Sequence, residues 1–155
     1  MNITIETDDG TAPQTFDIQP EQTVQVLIER IDAAGQVDGH SLLEETLGVL
    51  PVAALTTPLG DRLQRLKHLK THRVCVELHF ETDTAKRWFP TRARWAAVHR
   101  WGCRQFQVAA NTCAHLELRL ATPDGPPVNE AQPIGQNAEC VTAWLIKPGA
   151  EPNGR

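Results

Sequence analysis

Two histidines and two cysteines with metal-ligating side chains lie close together in the sequence. His99 and Cys103 are spaced one helical turn apart, and Cys113 and His115 follow within a short segment. Imidazole nitrogen and thiolate sulfur are ligands that Zn²⁺ favours, so four such residues could hold a zinc ion. Their spacing matches no recognisable zinc pattern, and each residue can be accommodated in an ordinary core or surface. We therefore predict that the chain binds no metal ion.

The same cysteines could instead do nucleophilic chemistry. A catalytic thiol needs a histidine base that a third group holds in place. No cysteine–histidine pair in this sequence has a clear third partner. We therefore predict no catalytic residue and no enzymatic activity.

The cysteines also bear on the cellular compartment. There are four of them, Cys75, Cys103, Cys113 and Cys140, an even number. No apolar run approaches the ~20 residues that span a bilayer, and the N-terminus lacks the pattern of a secretory signal. These features favour a cytoplasmic protein, in which free thiols are expected rather than disulfides.

A basic, aromatic-rich segment raises the possibility of nucleic-acid binding. Arginines that could contact phosphates alternate there with tryptophans that could stack on bases: Arg87, Arg92, Arg94, Arg100 and Arg104 with Trp88, Trp95 and Trp101. Trp95 shares a helical stripe with Val98 and Phe106, which indicates a core position. The net charge of −4 also argues against a nucleic-acid partner. We expect Trp101, at the edge of this helix, to bind a partner protein together with Arg100, Arg104 and Lys147.

Charge is distributed unevenly along the chain. Met1–Asp61 contains eleven acidic residues and one basic residue, Arg30, whereas Thr84–His115 contains no acidic residue. Such opposite poles can steer partners or orient two lobes, but a solvated charged face on each lobe would give the same pattern. Both interpretations remain open from the sequence.

The last nine residues differ in composition from the rest of the chain. They follow the strand-like Val141–Ile146 and contain two prolines, two glycines and no large apolar side chain. Such a segment cannot pack into a core, so we predict an extended, flexible tail over residues 147–155. Glycine within a tail would let it thread a narrow tunnel, since glycine has no side chain and tolerates any backbone conformation.

The first 35 residues predict a strand, a turn, a strand and a helix. Asn2–Thr7 and Gln14–Ile18 alternate apolar and polar residues on either side of the turn signal Asp8–Gly10. Thr23 can cap a helix that Gly35 ends. A hairpin followed by a helix that crosses one sheet face is the opening of the β-grasp fold, an α+β arrangement.

The second half of the chain repeats this order of elements. We predict strands at His72–Phe80, Arg87–Phe89, His115–Leu120 and Cys140–Ile146, and a helix that starts at Thr91 and runs to about Val108. Between the halves, His40–Glu44 and Val49–Val52 are interpreted as short strands, and Thr57–Leu63 as a short helical turn. The repeat predicts two tandem domains, at residues 1–72 and 73–146. Strand 73–82 could be the last strand of the first domain or the first strand of the second, and the sequence does not decide between them.

The chain resembles ubiquitin-like proteins in these features. The resemblance rests on the hairpin with its Asp9-Gly10 turn, on Phe16 and Ile18, and on the Thr23-capped helix. Asp124-Gly125, Ile134-Gly135 and the last strand match the back half of that fold. Two fused copies of this length are similar to the BilA modifiers of bacterial ubiquitination-like (BIL) antiphage operons.

This resemblance implies a function. The chain would be a protein modifier of the bacterial cytoplasm that acts in antiphage defence. Its partners would be an E1-like activating enzyme, an E2-like conjugating enzyme, a JAB/JAMM peptidase and target proteins such as phage virion proteins. The modifier would hold no cofactor, whereas the activating enzyme would use ATP and Mg²⁺ to adenylate the C-terminal carboxylate.

The resemblance also implies which residues react. Gly154 would be the conjugated glycine after the peptidase removes Arg155, and Gly149 is the alternative because it lies closer to the last strand. The sequence departs from the family pattern because it has no Gly-Gly pair. A non-covalent ubiquitin-like adaptor or scaffold would have the same fold without conjugation. The target and the oligomeric state do not follow from the sequence.

Overall fold

The computed structural model describes residues 1–148, and the chain forms two compact units. The first unit comprises Met1–Arg73 together with Trp88–Thr91, and the second comprises Val74–Arg87 and the residues from Arg92 onward. Both units combine helices with a sheet, so the predicted α+β class is confirmed. Within the described residues, none of the helices has the length and apolar character needed to cross a membrane.

The first unit is built on a three-stranded sheet. Its elements are β1 (Asn2–Thr7), β2 (Gln14–Asp17), α1 (Val24–Ala34), α2 (Gly39–Leu47) and β3 (His68–Thr71), with 3₁₀ helices at Val52–Thr56 and Gly60–Leu66. The strand order is β2-β1-β3, with β1 antiparallel to β2 and parallel to β3. The predicted hairpin is therefore confirmed. Ile3 and Ile5 of β1 are fully buried because alternate residues of a strand face the same side.

Helix α1 forms where its caps and apolar spacing predict it. The Thr23 hydroxyl accepts a hydrogen bond from the amide of Val26, and Gly35 ends the helix in the left-handed conformation at φ 76°. The buried positions of α1 recur every three or four residues, as a helix packed on one face requires: Val24, Leu27, Ile28 and Ile31. This face packs into the core of the first unit.

The region after α1 differs from the sequence prediction. His40–Glu44, interpreted as a strand, lies within helix α2, and Val52 starts a 3₁₀ helix rather than ending a strand. The missed signal is Asp38, which is buried and caps α2 by accepting hydrogen bonds from the amide and hydroxyl of Ser41. Aspartate is a preferred N-cap residue because its carboxylate accepts from an unpaired amide of the first turn, and this capping outweighs the short apolar run.

The second unit has a four-stranded sheet. Its elements are β4 (Arg73–Phe80), β5 (Asp83–Pro90), α3 (Trp95–Gln105), α4 (Ala110–Cys113), β6 (Glu117–Leu120) and β7 (Val141–Ile146). The strand order is β5-β4-β7-β6, with β7 parallel to β4 and antiparallel to β6. The four strands predicted for this half are all present.

The contested strand, β4, lies in the second sheet. The sequence left this strand open to either domain. The first sheet is closed by β3, which pairs with β1 and places Leu69 opposite Ile5. Strand β3 was missed because it is only four residues long and Leu69 is its one apolar residue. The last residues of β5, Trp88–Pro90, are counted in the first unit.

Candidate functional site: the α3–α4 surface of the second unit

The candidate site lies on the outer face of α3. One face of this helix is buried in the second unit, with Trp95, Val98, Trp101 and Gly102 among its buried residues. On a helix, residues four apart lie on the same side, so His99 and Cys103 are neighbours. Short helix α4 then brings Cys113 beside them.

The cysteines are paired, which corrects the prediction of free thiols. Cys103 in α3 is bonded to Cys113 in α4, with their Cα atoms 5.9 Å apart. Cys75 in β4 is bonded to Cys140, the residue before β7, with a Cα separation of 4.5 Å. Free thiols were predicted from the expected redox environment alone, and the fold brings both pairs of cysteines together. All four cysteines of the chain are used in these bonds.

His99 is held at both ring nitrogens. Nδ1 lies 2.7 Å from a carboxylate oxygen of Glu130, and Nε2 lies 2.8 Å from the carbonyl oxygen of Cys113. The Cys113 carbonyl and an ionised Glu130 carboxylate can only accept hydrogen bonds. The imidazole ring donates to both of them at once only when both of its nitrogens carry a proton. The His99 side chain is 12% exposed, so these two contacts are largely shielded from solvent.

The loop before β7 places Glu130. No side chain caps the N-terminus of α3, and the predicted cap, Thr91, lies outside the helix. Instead, the amides of Trp95 and Ala96 donate to the carbonyls of Gln132 and Glu130. The loop thus satisfies donors that a helix start leaves unpaired. This backbone capping brings the Glu130 carboxylate to His99, 31 residues earlier in the sequence. No local sequence pattern predicts this contact.

Part of the four-residue set considered for zinc is brought together. Ligand atoms of His99, Cys103 and Cys113 all lie within 4.8 Å of one another. His115 is exposed and is not part of this cluster. Sequence proximity alone could not separate His115 from the other three.

An open depression adjoins the cluster. It has a volume of about 530 Å³, and its lining includes His99, Arg100, Cys103, Arg104, Cys113 and Glu130. Arg104 is exposed and Arg100 is half-buried, so two of the residues predicted to bind a partner lie on this surface. Trp101 does not, because it is 4% exposed and packs inward. Its predicted role in binding a partner protein stays a prediction.

A second surface surrounds the end of β7. Lys147 is exposed and lines two depressions, one of about 350 Å³ with His115 and Pro148 and one of about 380 Å³ with Phe80 and Trp144. Trp144 is fixed there by a stacking contact with His79, with ring centroids 4.5 Å apart. The predicted reactive residues Gly149 and Gly154, and Arg155, lie outside the described residues.

The basic, aromatic-rich segment does not present its tryptophans as a stacking platform. Trp95 and Trp101 are buried, as the helical stripe predicted for Trp95. Trp88 is half-buried, and the guanidinium of Arg73 covers its ring at 4.0 Å from the centroid. The rings that a single strand would need are therefore occupied within the protein.

No protein-family model matches the chain, and no curated protein matches its sequence significantly.

Proposed function

We propose that this chain is a ubiquitin-like protein modifier with two β-grasp units, joined to target proteins through a glycine that follows β7. The observation that carries the proposal is the strand arrangement of the second unit. Its last strand, β7, lies inside the sheet and parallel to the first strand, β4, and it leads directly to exposed Lys147 and a glycine-bearing segment.

The β-grasp assignment is supported by features that both units share. In each sheet the first strand lies between the next strand in sequence and the unit's last strand, to which it is parallel. In each unit a helix, α1 or α3, follows the first strand pair and packs an apolar face inward. A parallel pair needs a crossover connection, and the helix provides it.

The chemistry of the proposed reaction would take place in partner enzymes. The glycine carboxylate attacks the α-phosphate of ATP, pyrophosphate leaves, and the resulting acyl adenylate passes its acyl group to an enzyme cysteine with release of AMP. A target amine then displaces the thiolate to form an amide. The eight residues from Lys147 to Gly154 span at most about 28 Å when extended, enough to reach into an enzyme cleft.

The surfaces of the second unit suit an enzyme that must bind the modifier before it reacts. Arg104 on α3 and Lys147 after β7 are exposed cations on the unit that carries the glycine segment. An acidic partner surface would be steered toward them. The role in antiphage defence is taken from the resemblance to the BIL modifiers.

Conjugation can be tested by reconstitution with the activating enzyme, conjugating enzyme and peptidase that this proposal implies for the chain. Intact-mass spectrometry should show removal of Arg155 by the peptidase, and ATP should then yield a thioester that a reducing thiol cleaves. Gly154→Ala should abolish the thioester, while Asn153→Ala, a matched change one residue away, should retain it.

The outcomes separate the alternatives. Loss of the thioester in Gly149→Ala but not in Gly154→Ala would move the reactive position to Gly149. Stable binding to the activating enzyme without any ATP-dependent adduct would favour a non-covalent adaptor and overturn the proposal.

A further inference from the structure

We propose that reduction of the Cys103–Cys113 bond converts the α3–α4 cluster into a Zn²⁺ site with Cys103, Cys113 and His99 as ligands. The sequence alone predicted no metal, because the spacing of four candidate residues fits no pattern. The fold selects three of them and adds a fourth residue, Glu130, that the spacing could not reveal. The proposal does not depend on the modifier function.

The distances suit a metal once the disulfide is open. In a tetrahedral zinc site with zinc–ligand distances of about 2.0–2.3 Å, ligand atoms lie roughly 3.3–3.8 Å apart. The His99, Cys103 and Cys113 atoms already lie within 4.8 Å of one another. Two of the ligands stand one helical turn apart on α3, so small side-chain rotations suffice to converge on one ion.

Glu130 would orient His99 by binding the ring nitrogen that does not bind the metal. A metal-bound histidine usually donates its other ring N–H to a carboxylate, which fixes the ring and raises its basicity. The Nδ1 of His99 already lies 2.7 Å from Glu130. The Nε2 contacts the carbonyl oxygen of Cys113 at 2.8 Å, so zinc bound at Nε2 would replace this hydrogen bond and the carbonyl would turn aside.

The adjoining depression gives solvent access to the fourth coordination position of the proposed site. It is open to solvent, so water can occupy the fourth coordination position. Arg100 and Arg104 line the same depression, and nearby cations favour the thiolate form of cysteine. With two thiolates, the charges of the ligands and the ion sum to zero, which limits repulsion between zinc and these arginines.

The conversion balances as two steps. A dithiol or phosphine reductant donates two electrons, the sulfur–sulfur bond breaks, and two thiols form while the reductant is oxidised. Zn²⁺ then displaces both thiol protons and the Nε2 proton, which pass to solvent, and forms two zinc–sulfur bonds and one zinc–nitrogen bond. A disulfide oxidant that takes two electrons from the thiolates would re-form the sulfur–sulfur bond and release the ion, so the disulfide and the metal exclude each other.

The test uses the full chain, reduced with a phosphine under anaerobic conditions and titrated with Co²⁺ as a spectroscopic probe. We expect one equivalent to bind with thiolate-to-cobalt charge-transfer absorption that Zn²⁺ abolishes by displacement. The oxidised chain should show no such band. Cys75→Ser/Cys140→Ser, which removes the other disulfide, should keep the band, and Cys103→Ser/Cys113→Ser should lose it.

Glu130→Gln tests the positioning residue. It should keep the stoichiometry but weaken zinc binding by about 10–100-fold, because the neutral amide no longer polarises His99. An unchanged affinity would contradict the role given to Glu130.

Folding is monitored by circular dichroism in the same samples. If the reduced chain loses structure, zinc should restore it, since binding free energy is then folding free energy. A reduced chain that takes up no metal, whether folded or not, overturns the proposal. So does cobalt binding that survives the Cys103→Ser/Cys113→Ser change.

Discussion

At the residue scale, Arg73 carries the densest set of polar contacts described in the first unit. Its guanidinium pairs with the Asp9 carboxylate, donates to the Gln36 carbonyl at 2.7 Å and to the Thr11 hydroxyl at 3.0 Å, and covers the Trp88 ring. The side chain is only 10% exposed. A planar fork of five N–H groups can meet all of these partners at once, and an ammonium group cannot.

We therefore expect Arg73→Lys to lower the free energy of unfolding by about 1.5–3 kcal/mol, even though the charge is kept. Urea denaturation followed by circular dichroism measures this loss. Arg65→Lys, at an exposed arginine that donates to the Thr46 carbonyl, is the matched control and should change stability by less than about 0.5 kcal/mol. Equal effects of the two changes would contradict the role of the fork.

The same contacts predict a pH dependence. The hydrogen bond from Thr11, with those from Arg73 and Thr7, holds the pKa of Asp9 well below its usual range, against the opposing effect of desolvation. The unfolded chain then binds the proton more tightly than the native chain. The ionised Asp9 carboxylate therefore stabilises the folded chain at pH values above the unfolded pKa of about 3.9. This contribution is lost as the pH falls through and below that value.

Asp9→Asn should remove this part of the acid dependence. We expect the urea midpoint of the wild type to fall more steeply than that of Asp9→Asn between about pH 5 and pH 2. The difference should be modest, because the Asp9 side chain is 38% exposed and solvent screens the pair. Parallel curves for the two proteins would show that Asp9 titrates alike in the folded and unfolded chains.

At the element scale, Gly102 sets how closely α3 approaches the second sheet. A Cβ at this position would overlap the Cδ2 of Leu78 in β4 and would lie 3.6 Å from the Cδ2 of Leu145 in β7. The Leu78 side chain must shift to admit this Cβ, and because it is buried, the shift disturbs the packing around it. We expect Gly102→Ala to destabilise the second unit by about 1–3 kcal/mol despite the better helix propensity of alanine.

The measurement is a thermal or urea melt of the full chain with tryptophan fluorescence, since Trp95 and Trp101 of α3 report on this unit. Gln105→Ala, at an exposed position of the same helix, should be neutral or slightly stabilising. Gly102→Ala as stable as the wild type would mean that α3 can move away from the sheet without cost.

Elements were predictable from the sequence where caps and periodicity agree. Thr23, Gly35 and the apolar spacing between them predicted α1 nearly to the residue. Helix α2 was missed because Asp38 and Ser41 act through a local hydrogen bond rather than through apolar spacing. The His99–Glu130 pair was beyond reach for a different reason: backbone capping of α3 by a distant loop creates it, and no local pattern encodes that contact.

At the scale of the whole molecule, the first unit is not a continuous stretch of chain. Residues Trp88–Thr91 belong to it, although a simple tandem repeat predicted a boundary at residue 72. The carbonyl of Trp88 accepts from the amide of Asp38 at 2.8 Å, and the amide of Thr91 donates to the carbonyl of His72 at 2.9 Å. The indole of Trp88 also lies under Arg73.

A fragment of residues 1–73 should therefore be less stable than the same residues in the intact chain. It would leave Arg73 without its aromatic partner and the Asp38 amide without its acceptor, together worth about 1–3 kcal/mol. Hydrogen exchange of the β1 amides, compared between fragment and intact chain, measures the difference. Trp88→Ala in the intact chain should lower protection by a smaller amount, because it removes the ring and keeps the backbone bond. Equal protection in the fragment and the intact chain would show that residues 1–73 fold independently of residues 88–91.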